Sequence, residues 1–347
     1  MSIAKILVTG ASGNTGGAVA RQLLRAGHPV RALVRSIDAR SEALARAGAE
    51  VVVADMFDPV SLTAAARGTQ RAYYLPPYHP RMLDSAVAFA TAAREAKLEA
   101  IVGMSQWTAS PSHPALLSRH HWLADRMFSA LPGVGYIQLE PGYFADNTLR
   151  LMPFAAHLGT LPNLTGESRN APPSNEDIAR VATAILVAPD KHVGKRYRPT
   201  GPALLSTNDA ARIVSRVLGR TVRPVSMPMW LFIKAARMQG VDAFTLSGLS
   251  HYVEDHRQGA FERGAPNDVV AEVTGAPAES FETTARRYAA LPQARRGWLA
   301  TLRASIDFLR TPFAPGYDLA AVERSFPQPS AVRLVMGDAE WVRSHAA

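Results

Sequence analysis

Three glycines near the start of the chain have a spacing that does chemistry through the backbone. In Lys5-Ile6-Leu7-Val8-Thr9-Gly10-Ala11-Ser12-Gly13-Asn14-Thr15-Gly16-Gly17-Ala18-Val19-Ala20, an apolar β-branched run leads into Gly-x-x-Gly-x-x-Gly and then a helix-favouring run. Strand, tight turn and helix in that order aim backbone N–H groups and a helix N-terminus at an anion; the pyrophosphate of a dinucleotide suits the pattern. Gly10, Ser12, Gly13, Asn14, Thr15 and Gly16 are therefore expected to bind a cofactor. At the end of the next strand, an acidic residue would take the ribose 2′-hydroxyl of NAD, whereas an Arg accommodates the 2′-phosphate of NADP. Arg35 stands there, followed by Ser36, so NADP is expected in preference to NAD, with Asp38 the nearby acidic group that argues the other way. Asp55 falls where an adenine amino group would lie, although it would serve equally to cap a turn. Ser105 is placed to hydrogen-bond a substrate carbonyl, and the segment after it carries Ser118, His120 and His121, whose imidazoles titrate near neutral pH.

These residues need a scaffold, and the hydrophobic pattern supplies one. Strands are expected at 3–9, 30–35, 50–55, 71–75, 100–105 and 135–139, separated by helical segments near 16–26 and 41–47, one opening at 58–62, and others near 81–97 and 116–131. Strands alternating with helices at these intervals make right-handed βαβ units and a doubly wound parallel sheet of the Rossmann type. Ligands of such sheets lie at the carboxyl ends of the strands. The glycine turn, Arg35, Asp55, Pro76, Pro77, Ser105 and the stretch Pro141, Gly142, Tyr143, Phe144 should therefore converge, with Ser105, Pro141, Tyr143 and Phe144 among the cofactor contacts. Residues 1–150 read as the dinucleotide-binding domain, with later segments contributing to the sheet.

Beyond residue 150 the pattern loosens. A helix capped by Ser174, another from 205 to Gly219, an apolar one starting at 227 and one at 242–256 suggest a smaller, mostly helical substrate lobe over 151–290. Residues 291–347 read as a helical extension. Arg296, Arg303 and Arg310 recur every seven residues there, while Trp298, Leu302, Ile306 and Leu309 form an apolar stripe. Docking on its own domain is the expected use of that stripe; a homodimer contact, a protein partner or a membrane surface are the alternatives.

Composition bounds the function. The chain has 347 residues, 47% hydrophobic and 19% charged, as ordinary globular proteins do. It contains no cysteine, which excludes disulfides and thiolate chemistry. His251 and His256 miss the i, i+4 spacing of a shared helix face, so no metal is expected. The formal charge is +9, and only five of the 38 basic residues are lysine, but the arginines are scattered rather than clustered with aromatics, which speaks against direct nucleic-acid binding. No apolar run approaches the ~20 residues of a membrane helix. The first strand begins within three residues of the start, which leaves no room for a leader and makes a cytoplasmic location the expectation.

Several stretches in combination resemble the NmrA-like family, an atypical branch of the short-chain dehydrogenase/reductase group. They are Val8-Thr9-Gly10-Ala11-Ser12-Gly13-Asn14-Thr15-Gly16, Val30-Arg31-Ala32-Leu33-Val34-Arg35, and Ala54-Asp55-Met56-Phe57-Asp58-Pro59. His121-Trp122 with Asp125, Leu139-Glu140-Pro141-Gly142-Tyr143-Phe144 with Asn147, Tyr197-Arg198-Pro199-Thr200-Gly201-Pro202, and Glu272-Val273-Thr274-Gly275 also match. The resemblance covers about residues 3–288 and implies the fold, an NADP site and a substrate cleft between two lobes. Related benzylic-ether reductases carry a catalytic Lys near the position of His121, which the resemblance makes a catalytic candidate beside Ser105. Glu140 departs from the family, where Arg is usual before that Pro.

Ordinary short-chain dehydrogenases use Tyr-x-x-x-Lys, the Lys lowering the tyrosine pKa for proton exchange with the substrate oxygen. None of the nine tyrosines here has Lys four residues on. The leading reading is an NADPH-dependent reductase of a small apolar carbonyl or quinone, with Ser105 orienting the acceptor and His121 or water supplying the proton. Tyr73, Tyr78, Trp107, Tyr143, Phe144, Trp230 and Phe232 are the aromatics expected around such a pocket. The rival is a non-catalytic NADP-sensing regulator that acts through a protein partner. A nucleotide-sugar epimerase or dehydratase fits less well, since those enzymes resemble the Tyr/Lys pattern.

Overall fold

The computed structural model describes residues 3–295 and 297–328. Its first half alternates as the pattern predicts: β1 (Ile6–Val8), α1 (Asn14–Arg25), β2 (Val30–Val34), α2 (Ala39–Arg46), β3 (Glu50–Val53), α3 (Pro59–Ala66), β4 (Arg71–Tyr74), α4 (Met82–Glu95), β5 (Ala100–Met104), α5 (Leu116–Ser129) and β6 (Gly135–Leu139). The second half contains α6 (Ala145–Leu149), α7 (Met152–Leu158), β7 (Thr160–Asn163), α8 (Asn175–Val187), β8 (Arg196–Tyr197), α9 (Thr207–Leu218), β9 (Arg223–Ser226), α10 (Met229–Met238), α11 (Ala243–Arg257), α12 (Val269–Thr274), α13 (Phe281–Ala289), α14 (Trp298–Arg310) and α15 (Leu319–Arg324).

Seven strands form one parallel sheet in the order β3-β2-β1-β4-β5-β6-β8, the doubly wound Rossmann-type arrangement. Successive side chains of a strand point to opposite faces, and both faces of this sheet are buried. Ile6, Val8, Ala32, Val34, Val102 and Ile137 enter one core with α1 and α8. Leu7, Leu33, Ala72, Tyr74, Ile101 and Tyr136 enter the other, against α3, α4 and α5. The order reverses between β1 and β4. In-register pairs such as Val8↔Ala32, Val8↔Tyr73, Val34↔Val53 and Met104↔Leu139 bring the carboxyl ends to one edge.

Side-chain capping accounts for where several of the helices start. Asp58 accepts from Val60 and Ser61 N–H with Pro59 in the first turn, Ser174 caps α8, Ser206 and Asp209 form a reciprocal capping box on α9, and Asp242 caps α11. Three short strands escape the sequence pattern. Tyr197 and Arg196 make a two-residue strand, too short for any periodicity to show. Each of β7 and β9 contains a proline, which withholds a ladder donor and is confined to sheet edges; the two pair only with each other. One further departure is Arg196–Tyr197 itself joining β6, which with α8 packing on α1 shows how segments beyond 150 complete the sheet.

The helical part has its own core from α6, α7, α9 and α13, including Leu149, Met152, Val214, Phe281 and Ala285. The stretch through α15 lies across α11: Glu323 accepts from Ser247 and faces His251 Nε2 at 2.8 Å. Arg119 on α5 ties Pro327 to the loop after β5, donating to the carbonyls of His113, Pro114 and Pro327. Helix α14 docks on α7, yet Trp298 stays 76% and Leu309 68% exposed, so its apolar stripe is only partly covered. Arg296 of the predicted basic face lies outside the described residues. Among the described residues, no helix is long and apolar enough to cross a membrane.

The tightest approach is between α1 and the end of β1. A Cβ placed on Gly16 would lie 2.4 Å from the Gly10 carbonyl oxygen, and backbone cannot move aside as a side chain does. Gly16→Ala should therefore cost about 1–3 kcal/mol, the range of an overpacked core, read as a lowered urea midpoint. An unchanged midpoint would refute the close packing.

Candidate functional site

At the reversal point, Gly10 turns the chain with φ +61°, a left-handed conformation that glycine adopts freely. Gly13 N–H bonds the Gly10 carbonyl at 2.9 Å, and Ala11 N–H reaches the Leu33 carbonyl of β2. Thr9 fastens the turn to β4, its hydroxyl accepting from Leu75 N–H at 2.8 Å. Gly13 occupies the N-cap of α1 with no side chain capping it, and no acidic residue lies in the first turn. The first N–H groups of a helix have no partner within it, and here they carry the positive end of the dipole with no acidic residue of the first turn to offset it. The turn thus fits a pyrophosphate: Gly13 and Asn14 are exposed at the helix start, while Gly16 lies buried against the Gly10 carbonyl and lets the helix approach. The Asn14 amide donates to Asp146 at 3.2 Å, tying the turn to α6, and the Thr15 hydroxyl donates to Asn175 at the start of α8.

Arg35 follows β2 directly and is exposed. Among the described residues it makes no ion pair, whereas Arg31 is committed elsewhere, to Glu50 and the carbonyls of Ala65 and Arg67. Asp38 is withdrawn: its carboxylate caps α2 and pairs with Arg40 at 2.7 Å. Backbone donation from Ser41, aided by Arg40, holds its carboxyl below the usual range. Asp55 is exposed after β3, with one oxygen accepting from Phe57 N–H at 2.9 Å. The turn cap that its position allowed is therefore present. Pro76 and Pro77 are half-buried just after β4.

The loop after β6 is fixed more firmly than its sequence suggests. Pro141 is buried and Phe144, half-buried, packs on the core that holds Ala11 and Met104. Tyr143 turns into the helical lobe, stacking on Tyr252 at 5.7 Å and edge-on to His256 at 4.9 Å, with Phe261 and Trp107 completing the cluster. Burial pushes its hydroxyl up to about 12, so it stays protonated. A cleft lined by Tyr143, Leu164, Leu205, His256 and Phe281 opens beside it. Of the other expected pocket aromatics, Tyr73 lies wholly inside the sheet core, Trp230 is 54% exposed on α10 and Tyr78 packs at the edge of α11.

Glu140, the departure from family pattern, is buried and clamped. Arg196 donates to it twice, at 2.8 and 3.1 Å, and Arg198 at 3.0 Å. The Arg198 guanidinium also lies 4.9 Å over the Trp107 ring. The two arginines come from β8 and the residue after Tyr197, the strand that sequence periodicity could not reveal.

Ser105 is buried at the end of β5, and its Oγ lies 2.5 Å from Asp125 on α5. Tyr136 of β6 reaches the other oxygen of the same carboxyl at 2.6 Å, its hydroxyl lying over Gly103, where a Cβ would sit 2.3 Å from it. Burial raises the Asp125 carboxyl to about 7, opposed by the hydrogen bonds from Ser105 and Tyr136. His121, one turn earlier on α5, is pushed down to about 3, first by burial and then by His120. Burial therefore favours its neutral form at physiological pH and disfavours the protonated form that a His121 proton donor would need. The i, i+4 spacing of His121 and Asp125 was the signal that Asp125 shares the face turned to Ser105.

Residues 3–122 match the model of the NmrA-like family. The NAD(P)H azoreductase of Xenophilus azovorans is 30% identical over 292 residues, covering 82% of this chain and 98% of that protein. The NADPH-dependent quinone oxidoreductase of Escherichia coli, solved with NADPH, superposes with a TM-score of 0.70 at 22% identity, over 81% of this chain and 99% of its own. NmrA, a negative transcriptional regulator solved with NAD, gives 0.67 at 16% identity, over 89% and 100%.

The clamp on Glu140 makes a directional prediction. Replacing both Arg196 and Arg198 by Ala strands a buried carboxylate and should cost about 3–5 kcal/mol. Glu140→Gln strands only two half-exposed guanidiniums that water can reach, and should cost less. Equal losses in urea denaturation would contradict the assignment.

Proposed function

The chain belongs to the NmrA-like family, and on that premise we propose that it is an NADP(H)-dependent reductase of small, apolar carbonyl or quinone acceptors. The observation that carries the reading is the uncapped α1 N-terminus above the glycine turn, with Arg35 uncommitted beside it and Asp38 held by Arg40. A relative 30% identical along almost its whole length is named as a reductase using NAD(P)H, which supports the same class of chemistry here. Backbone N–H groups of the turn would hold the pyrophosphate, Arg35 the 2′-phosphate, and Asp55 the adenine side. The bound cofactor supplies hydride from the reduced nicotinamide ring. Ser105 would orient the acceptor oxygen at the end of β5, and the cleft by Tyr143 would take the apolar body of the acceptor.

Two observations favour a second reading, a cofactor-sensing regulator: the Tyr-x-x-x-Lys pair is missing, and α14 leaves Trp298 and Leu309 uncovered. The α14 stripe would then meet a protein partner or a second copy. Oxidation of NADPH in the presence of a quinone, an azo dye, an enone and an aldehyde separates the two. Turnover of at least one acceptor is expected. Tight NADPH binding with no turnover of any, together with a partner lost on deleting 291–347, would favour the regulator.

Arg35→Ala tests the cofactor preference. Losing charge-assisted hydrogen bonds worth about 1.5–3 kcal/mol should weaken NADPH binding about 10- to 100-fold, with NADH affinity unchanged, as followed by cofactor fluorescence. Equal weakening of both cofactors would remove Arg35 from the 2′-phosphate site.

A further inference from the structure

Of the proton sources the sequence offered, His121 or water, the side chain is poorly suited. Tyr-x-x-x-Lys is missing, and His121 is held neutral by burial. One buried acid does reach the end of β5. Asp125 touches Ser105 at 2.5 Å and Tyr136 at 2.6 Å, and both arginines of the neighbourhood go to Glu140 instead.

We propose that Asp125 is the proton store of this site and passes its proton to the acceptor oxygen through the Ser105 hydroxyl, with Tyr136 positioning the carboxyl. The inference rests on the reductase reading above. Its logic is the direction of two hydrogen bonds. When Asp125 is ionised it can only accept, so Ser105 and Tyr136 both donate to it, and the Ser105 proton is turned away from the acceptor. When Asp125 is protonated, one oxygen donates to Ser105 Oγ and the other still accepts from Tyr136. The Ser105 hydroxyl hydrogen is then free to point at a bound carbonyl.

The atoms balance for a carbonyl acceptor. With a reduced nicotinamide cofactor bound, its hydride would supply both electrons to the carbonyl carbon, the cofactor being oxidised in the exchange. The carbonyl oxygen takes the proton of Ser105 Oγ as Oγ takes the proton of the Asp125 carboxyl. The products are an alcohol and an Asp125 carboxylate, stabilised by the hydroxyls of Ser105 and Tyr136. After the alcohol leaves, water at Ser105 returns a proton along the same two bonds. Asp125 is a positioning and storage group, since only Ser105 meets the acceptor.

The groups that set the Asp125 titration come from every side. Ser105 faces it from β5 and Tyr136 from β6. Glu140 at the end of β6 raises it, and Arg196 on β8 lowers it. His121 on its own helix is neutral. Burial dominates, and a carboxyl near 7 is half protonated under ordinary conditions. Efficient general acids have values near the working pH.

Asp125→Asn is the decisive variant. Its amide donates to Ser105 Oγ and its carbonyl accepts from Tyr136, so it reproduces the hydrogen bonds of the protonated acid while having no proton to pass. A purely structural Asp125 predicts undiminished turnover in this variant, whereas the relay predicts a loss of about 10²-fold or more in kcat with KM little changed. A readout independent of turnover is stability against pH without cofactor. Because the folded value lies above the ordinary 3.8, the Asp125 contribution is present at low pH and lost as pH rises through about 7. Wild type should therefore lose stability relative to Asp125→Asn across that window. Tyr136→Phe removes a donor that favours the ionised form, so the alkaline limb of kcat should move to higher pH while the fold is kept.

An active wild type with an equally active Asp125→Asn sinks the relay. So does a stability difference that does not change between about pH 4 and 7. A wild type that reduces no acceptor sinks the reductase reading itself, whatever the stability comparison gives.

Discussion

The site depends on the contact between Gly16 and the Gly10 carbonyl. Helix α1 can start immediately beneath the end of β1 only because no Cβ intervenes at that crossing. That proximity sets the helix axis so that its first N–H groups open toward the edge where the strand order reverses. Everything else at this edge is arranged relative to it. Thr9 fixes the β4 loop to the turn, Asn14 fixes α6, and Thr15 fixes α8. A small displacement of α1 would therefore reach the helical lobe as well as the sheet.

Two buried carboxyls lie near the ends of β5 and β6, and their partners give them opposite characters. Glu140 is matched by two guanidiniums, which offset the loss of its hydration. Asp125 receives two neutral hydroxyls, which stabilise an anion less than a cation would, so burial prevails and its carboxyl rises toward neutrality. The arginines are fixed on β8, a strand of two residues, whose pairing with β6 places Arg196 and Arg198 at Glu140 rather than at Asp125. A minor edge strand thereby decides which acid is a structural ion and which can exchange a proton.

The helical lobe and the final segment hold the surrounding loops. Tyr143, Tyr252, His256, Phe261 and Trp107 join the loops after β5 and β6 to α11 through ring contacts. Burial pushes His256 down to about 4, so this contact is between neutral rings at ordinary pH. Arg119 extends the same fastening to Pro327, which lies far along the chain.

The amino-acid sequence by itself determined the alternation of strands and helices, the glycine turn and the position of Arg35. These are local matters: side-chain period, helix stops and caps, and a backbone that only glycine permits are all properties of a few consecutive residues. It also fixed the absence of Tyr-x-x-x-Lys, since that is a matter of spacing alone. Tertiary structure decided the rest. Whether Asp38 competes with Arg35 depended on Arg40 and the α2 cap. Whether His121 could carry charge depended on the sheet that buries it. The partners of Glu140 and Asp125 lie up to 58 residues away along the chain, and β7, β8 and β9 are too short or too proline-bearing to announce themselves. Electrostatic character follows from burial and from neighbours across the sheet, and neither is written in the order of residues.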